Sequence, residues 1–200
     1  MMVGDADLSR AVSYALRHEP WLYEIELDEE GWAPVDHLVE ALRTRGGNWA
    51  LVDRASLERM MASATRRRHE LDGARIRALY GHSLAGQIRK SPTHPPARLF
   101  HGTAQETWSL IGEEGLRPMG RQYVHLSVDL DTATAVGLRK SATPVVLVVD
   151  AVKAAASGVA FYEGNDLVWL ADGVPSRFVE VAGELRSSAR GIVLPGIRDR

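Results

Sequence analysis

Residues 91–103 read SPTHPPARLFHGT, and the texture changes inside this stretch. SPTHPPA (91–97) is rich in proline and small polar residues, which resist both helix and sheet, so it reads as a linker. RLFHGT (98–103) is the first of six apolar, β-branched or aromatic runs; YVHLSV (123–128), PVVLVVD (144–150), VAFYE (159–163), DLVWLA (166–171) and RFVEVA (177–182) follow. Helical segments around 105–114, 131–139 and 151–156 lie between them. Upstream of the linker the pattern is helical. LSRAVSYALR (8–17) spaces Leu8, Ala11, Val12, Ala15 and Leu16 along one face, and Pro20 prevents continuation. PVDHLVEALRTR (34–45) starts on a proline suited to a first helical turn and stops at Gly46-Gly47. A third helix over 53–64 has Asp53 as its N-cap. RHEL and ARIRALYG, separated by Asp72-Gly73, form a hairpin. The fold class is therefore α+β: a winged-helix-like lobe over 1–90, a linker over 91–97, a second lobe over 98–186, and a tail over 187–200 expected to be mobile.

Composition narrows the function. With no cysteine, the chain has no disulfide, no thiolate nucleophile and no zinc site built on sulfur. Its seven histidines show no HExxH-type pair, so no metal is expected. No apolar run is long enough for a bilayer, and MMVGDADLSR lacks the order of a signal peptide, which predicts a cytoplasmic protein; a monomer is expected, though nothing in the sequence fixes the oligomeric state. The formal net charge of −2 hides a segregation: residues 5–40 carry two arginines against ten acids, while residues 43–90 carry eleven Lys/Arg against four. The second stretch is a basic patch suited to phosphate, and almost all of it is arginine, whose planar fork matches phosphate oxygens.

Several short motifs could carry chemistry, and each has an ordinary alternative. Arg17-His18 ends the first helix, where cations complement the helix dipole. Arg66-Arg67-Arg68 is either a solvated charge run or a phosphate contact. LFHGT places His101, Gly102 and Thr103 at a strand end, where glycine admits close approach of a ligand to backbone and His and Thr offer hydrogen bonds. His125 and Ser127, two apart in a strand, share a face, which is either a polar site or a solvated edge. Arg139 ends a helical pattern, and His82 and Ser83 sit in a turn-like GHS. Neither GxGxxG nor GxxxxGK[ST] occurs, so any dinucleotide is bound without those loops.

In order, LRH, RHEL, DGARIRALYGHS, LFHGT, EEGLRPMGRQYVHLS, VGLRKS, PVVLVVD and VWL resemble the tRNA/RNA 2'-phosphotransferase family over about residues 8–182. The resemblance implies a winged-helix lobe joined to an ADP-ribosyltransferase-like lobe, with NAD consumed as a co-substrate and an RNA bearing an internal 2'-phosphate, such as a tRNA, as the partner. It implies catalytic roles for Arg17, His18, Arg68 and Arg139, with Arg66 or Arg67 as alternatives to Arg68. His101, Gly102, Thr103, His125 and Ser127 are implied to bind NAD, with Arg77, His82 and Ser83 lining the same cleft. Two positions depart from the family pattern: His69 replaces a phenylalanine, and Tyr80 a glutamine. The implied chemistry is ADP-ribosylation of the 2'-phosphate followed by release of 2'-hydroxyl RNA and a cyclic phosphate. Two rivals share these residues: an ADP-ribosyltransferase that caps terminal phosphates, and a non-catalytic winged-helix nucleic-acid binder.

Overall fold

The computed structural model describes residues 3–183; the expected tail and residues 184–186 of the expected second lobe lie outside the described residues. The chain is a mixed α/β structure with two antiparallel sheets. Helix α1 (Asp5–Arg17) starts three residues before its predicted onset and buries Leu8, Ala11, Val12, Ala15 and Leu16, the face anticipated from spacing. Each buried leucine or valine contributes about 1.5–3 kcal/mol, and each alanine methyl about 0.8 kcal/mol. Strand β1 (Trp32–Pro34) leads directly into α2 (Val35–Arg43), and Pro34 is the cap rather than the first helical residue. Helix α3 (Arg54–Ser63) is capped by Asp53, whose carboxylate accepts from the Ser56 amide at 2.8 Å while the Ser56 hydroxyl accepts from the Asp53 amide at 3.4 Å. Strands β2 (His69–Asp72) and β3 (Arg75–Ala78) form the expected hairpin, but its turn is Gly73-Ala74, with Asp72 still paired to Arg75. The order of this first sheet is β1-β3-β2.

The larger sheet is built from β4 (Arg98–Thr103), β5 (Val124–Ser127), β6 (Val145–Asp150), β7 (Phe161–Asn165), β8 (Val168–Ala171) and β9 (Val179–Val181), in the order β7-β8-β5-β4-β6-β9. Helices α4 (Gln105–Glu114), α5 (Leu130–Gly137) and α6 (Ala151–Ala156) occupy the predicted intervals, α5 ending two residues short of its expected limit. One core gathers Leu8, Leu16, Leu38, Leu57 and Ile76; another gathers Leu99, Leu126, Leu147, Val149 and Phe161. No helix among the described residues is long and apolar enough to cross a membrane.

Residues 79–97 contain neither helix nor strand and bond to both sheets' surroundings. The Arg89 amide donates to the Glu29 carbonyl at 2.7 Å, and the Thr93 amide to the Phe161 carbonyl at 2.8 Å. The Tyr123 hydroxyl donates to the Ile88 carbonyl at 2.8 Å, and the Gln122 amide group to the carbonyls of Leu84 and Gly86. The stretch is tied into the molecule by its backbone, which satisfies groups that an irregular segment would otherwise leave unpaired.

Candidate active site

The arginine that ends α1 is the centre of the site. The Arg17 guanidinium donates to the Arg68 carbonyl at 3.2 Å, and its carbon lies 5.2 Å from the centroid of the Tyr80 ring. Burial, opposed by Tyr80 and reinforced by Arg68 and Arg121, lowers its pKa to about 10, so it stays charged at neutral pH. Next to it, His18 Nδ1 is 2.8 Å from the Ser83 hydroxyl, and the Ser83 amide donates to the Arg17 carbonyl at 2.9 Å. Burial and then the fields of Arg17 and Arg121 push the His18 pKa down, leaving a neutral imidazole fixed by a hydroxyl. An open cleft of about 630 Å³ has Arg17, His18 and Arg68 in its wall.

Gly81 explains how two cations come together here. Its φ is +92°, and a Cβ at that position would stand 2.9 Å from Arg121 Nη1 and 3.6 Å from the Arg17 side chain. The positive φ favours glycine, and a side chain there would push the Arg121 guanidinium aside. Arg121 donates to the Gly81 carbonyl at 3.4 Å, and its charge acts on Arg17, His18, His125 and Lys140.

The large sheet brings the other histidines. His125 lies on β5 in edge contact with Tyr80, ring centroids 6.0 Å apart. Its Nδ1 sits 3.0 Å from the Tyr123 carbonyl and must carry the proton, so Nε2 is a bare acceptor, buried and without a partner. Burial first, then Arg121, lowers its pKa to about 4. His101 donates from Nδ1 to the His125 carbonyl at 2.9 Å, and burial lowers its pKa too. His82 is buried, with Nε2 unpartnered; burial, then Lys90, Arg17, His18 and His125, lowers its pKa to about 3. The three buried side-chain atoms without a hydrogen-bond partner among the described residues are Arg17 Nε, His82 Nε2 and His125 Nε2. Buried polar groups are normally satisfied; the Arg17 guanidinium and the His125 ring both lie against Tyr80, whereas His82 Nε2 faces Gly31, where a Cβ would stand 3.6 Å from it.

Not every expected residue joins them. Arg77 is held on the small sheet by Glu70 at 2.7 Å and Glu30 at 3.7 Å and stacks on Trp32 at 4.2 Å. Arg139 follows the end of α5, exposed, and its guanidinium makes no hydrogen bond or ion pair among the described residues. Gly102 does not open backbone to a ligand on its side-chain face, because a Cβ there would meet the Ala133 carbonyl at 1.9 Å. Its role is close packing of α5 on β4. Thr103 and Ser127 are buried in the sheet. Of the Arg66–Arg68 run, Arg67 pairs with Glu70 at 3.1 Å and Arg66 acts on Asp129, leaving Arg68 beside Arg17. His69 is a buried neutral core residue, Nε2 3.0 Å from the Ser13 hydroxyl.

Arg121, Lys140 and Asn165 are the additions that the motif reading missed, and Tyr80, noted there as a departure from the family pattern, joins them. Asn165 donates to the Arg67 carbonyl at 2.6 Å and to the Tyr80 hydroxyl at 3.3 Å, tying the large sheet to the segments that bear Arg68 and Tyr80. Arg121 was in view, four residues before His125 in GRQYVHLS, but a loop arginine carries no periodic signal.

Guanidiniums from three separate segments, neutral histidines and unpartnered nitrogens define a site for a multiply charged anion on an α+β scaffold. The chain belongs to the RNA 2'-phosphotransferase, Tpt1 / KptA family, whose model matches residues 4–173. It is 45% identical over 179 residues to a protein of Acetivibrio thermocellus named "Probable RNA 2'-phosphotransferase", covering 90% of this chain and 98% of that one. Proteins of the same name from Bacillus thuringiensis subsp. konkukian and Fusobacterium nucleatum are 48% and 36% identical; they cover 88% and 90% of this chain, and 94% and 99% of their own lengths.

Proposed function

We propose that this chain is an NAD-dependent RNA 2'-phosphotransferase, with a winged-helix-like lobe over 1–90 and an ADP-ribosyltransferase-like lobe over 98–186 that hold RNA and NAD in the cleft between them. The observation that carries the reading is the meeting of Arg17, His18, Arg68 and Arg121 with His125, where Arg17 Nε and His125 Nε2 have no protein partner beside Tyr80. A phosphomonoester carries close to two charges at pH 7, and forked cations are its natural partners. The bare Nε2 of His125 suits a ribose hydroxyl donor on the NAD side.

In the first step a 2'-phosphate oxygen attacks C1" of the nicotinamide ribose; the bond to nicotinamide breaks and its electron pair neutralises the pyridinium. In the second, O2" gives up its proton and attacks the phosphorus, the bond to the RNA 2'-oxygen breaks, and that oxygen takes up the proton so released, leaving as the 2'-hydroxyl. The other product is ADP-ribose 1",2"-cyclic phosphate. The arginines hold charge on the phosphoryl oxygens, and neutral His18, oriented by Ser83, is the base available to take the O2" proton. The cell compartment is the cytoplasm, and tRNA processing is the fitting context.

The test is incubation with NAD and two short RNAs, one with an internal 2'-phosphate and one with only a terminal phosphate. Nicotinamide and cyclic phosphate in equal amounts, from the internal substrate and with excess chelator present, are expected. A stable ADP-ribosylated terminus as the sole product would move the chain to the capping reading, and binding without nicotinamide release to the non-catalytic one.

A further inference from the structure

The cleft beside Arg17, His18 and Arg68 does not end at the phosphate site. Arg10 and Tyr14 on α1 form one of its walls and also line a second open cleft of about 810 Å³ that reaches Tyr23, Arg45 and Trp49. The shared ridge is chemically distinctive. Tyr14 is 43% exposed, with its ring centroid 5.7 Å from that of His18. Further along, the exposed Arg45 guanidinium lies 4.1 Å above the Trp49 ring. Fixed aromatic faces and a stacked arginine are what unpaired bases use in single-stranded recognition.

We infer that the RNA strand leaving the phosphate follows this ridge, past Tyr14 and Arg10, and that a base stacks on the Arg45–Trp49 pair. The inference rests on the phosphotransferase reading for its starting point. From Arg17 back to Arg10, α1 advances about 10 Å at 1.5 Å per residue, a span of about three stacked nucleotides at ~3.4 Å each. Carboxylates shape the contact: Asp7 pairs with Arg10, and Glu19 accepts from the Tyr14 hydroxyl. The ridge therefore offers faces rather than net positive charge. Binding along it is governed by stacking, whereas binding at Arg17, Arg68 and Arg121 is governed by charge. An NAD adenine is the poorer occupant, because His101 and His125, the expected NAD residues, stand on the large sheet rather than along α1.

The experiment uses the full chain and single-stranded RNAs carrying one 2'-phosphate, with zero to five nucleotides on either side. kcat/KM is expected to rise about tenfold once the strand on one side extends past roughly three nucleotides, the span to Arg10, and then to level off, with the rise depending little on salt. Trp49→Ala removes that rise while leaving the shortest substrate at the wild-type rate, and deletion of the base at that position has the same effect. Because Trp49 packs partly against the first core, the exposed Arg45→Glu provides a variant that spares the fold and weakens the stacking partner. A flat length profile, or variants that slow the shortest and longest substrates equally, overturns the track. If no substrate turns over, the phosphotransferase reading fails separately, and fluorescence anisotropy with the same RNAs decides. Affinity that depends on length and on Trp49 upholds the track, and equal affinity throughout overturns it.

Discussion

Arg121 and Arg139 differ in what each guanidinium can reach. Arg121 bonds the Gly81 carbonyl and its charge acts on Arg17, His18 and His125, whereas Arg139 sits exposed beyond α5. A fixed donor aimed at developing charge is worth about 10²–10³ in rate when removed. Arg121→Ala is therefore expected to lower kcat/KM for 2'-phosphate removal at least a hundredfold, and Arg139→Ala to change it by no more than a few-fold; equal losses would return Arg139 to the site. The two chemical steps should also separate. Losing Arg68 or Arg121 should weaken the second step more, because only there is the phosphoryl group itself attacked, so single-turnover kinetics should show ADP-ribosylated RNA building up. His125→Ala should slow the first step without build-up. Adduct that never exceeds its wild-type level in the arginine variants would refute this division. Apolar spacing placed Arg17 and His18 at the end of α1, but their grouping with Arg68 came from the family resemblance, which left Arg66 and Arg67 as alternatives. Arg121 was not legible in the chain, since only the folding of 79–90 against the sheet decides which loop cation meets Arg17.

At the scale of elements, legibility followed how local the cause was. The capping of α3 by Asp53 depends on residues three apart, and the spacing of apolar residues found the buried face of α1. Strand β1 escaped notice because it has only three residues, ends in proline and exists through pairing with β3, some forty positions away. Gly102 shows a packing cause that short-range sequence does not carry: glycine at a strand end suggested a ligand, yet its side-chain face is taken by α5, which approaches β4 so closely that a Cβ on Gly137 would stand 3.3 Å from the Gly102 Cα. Gly102→Ala should thus force α5 outward. A cost at the upper end of about 1–3 kcal/mol for overpacking corresponds to a fall in Tm of several degrees at ~2–4 °C per kcal/mol. Differential scanning calorimetry checks this, and an unchanged Tm would mean that α5 gives way without strain.

On the scale of the whole molecule, the site is also the join, and its buried histidines make both sensitive to acid. His69 lies in the first core, His82 in the connecting stretch and His125 on the large sheet, and burial lowers their pKa values to about 3, 3 and 4. In the unfolded chain each takes up a proton near pH 6.5. Between pH 6.5 and those lowered values the unfolded state binds more protons than the native one, so stability rises with pH across that window and falls on acidification. The loss is at most about 1.4 kcal/mol per pH unit for each histidine, or roughly 2 kcal/mol each at pH 5, against a total of ~5–15 kcal/mol for a typical domain. The urea midpoint should hold steady from pH 8 to 7 and drop steeply from pH 6.5 to 5. His69 follows Arg68 but is buried against Ser13, and His69→Gln should make that drop shallower while lowering stability at pH 7.5. Because Tyr80, Asn165 and Arg121 tie the two cores across the join, hydrogen exchange should show α1 and β6 losing protection together. A midpoint that stays flat to pH 5, or a slope unchanged in His69→Gln, would show that these histidines do not set acid stability; loss of protection in α1 well before β6 would show that the join does not couple the two cores.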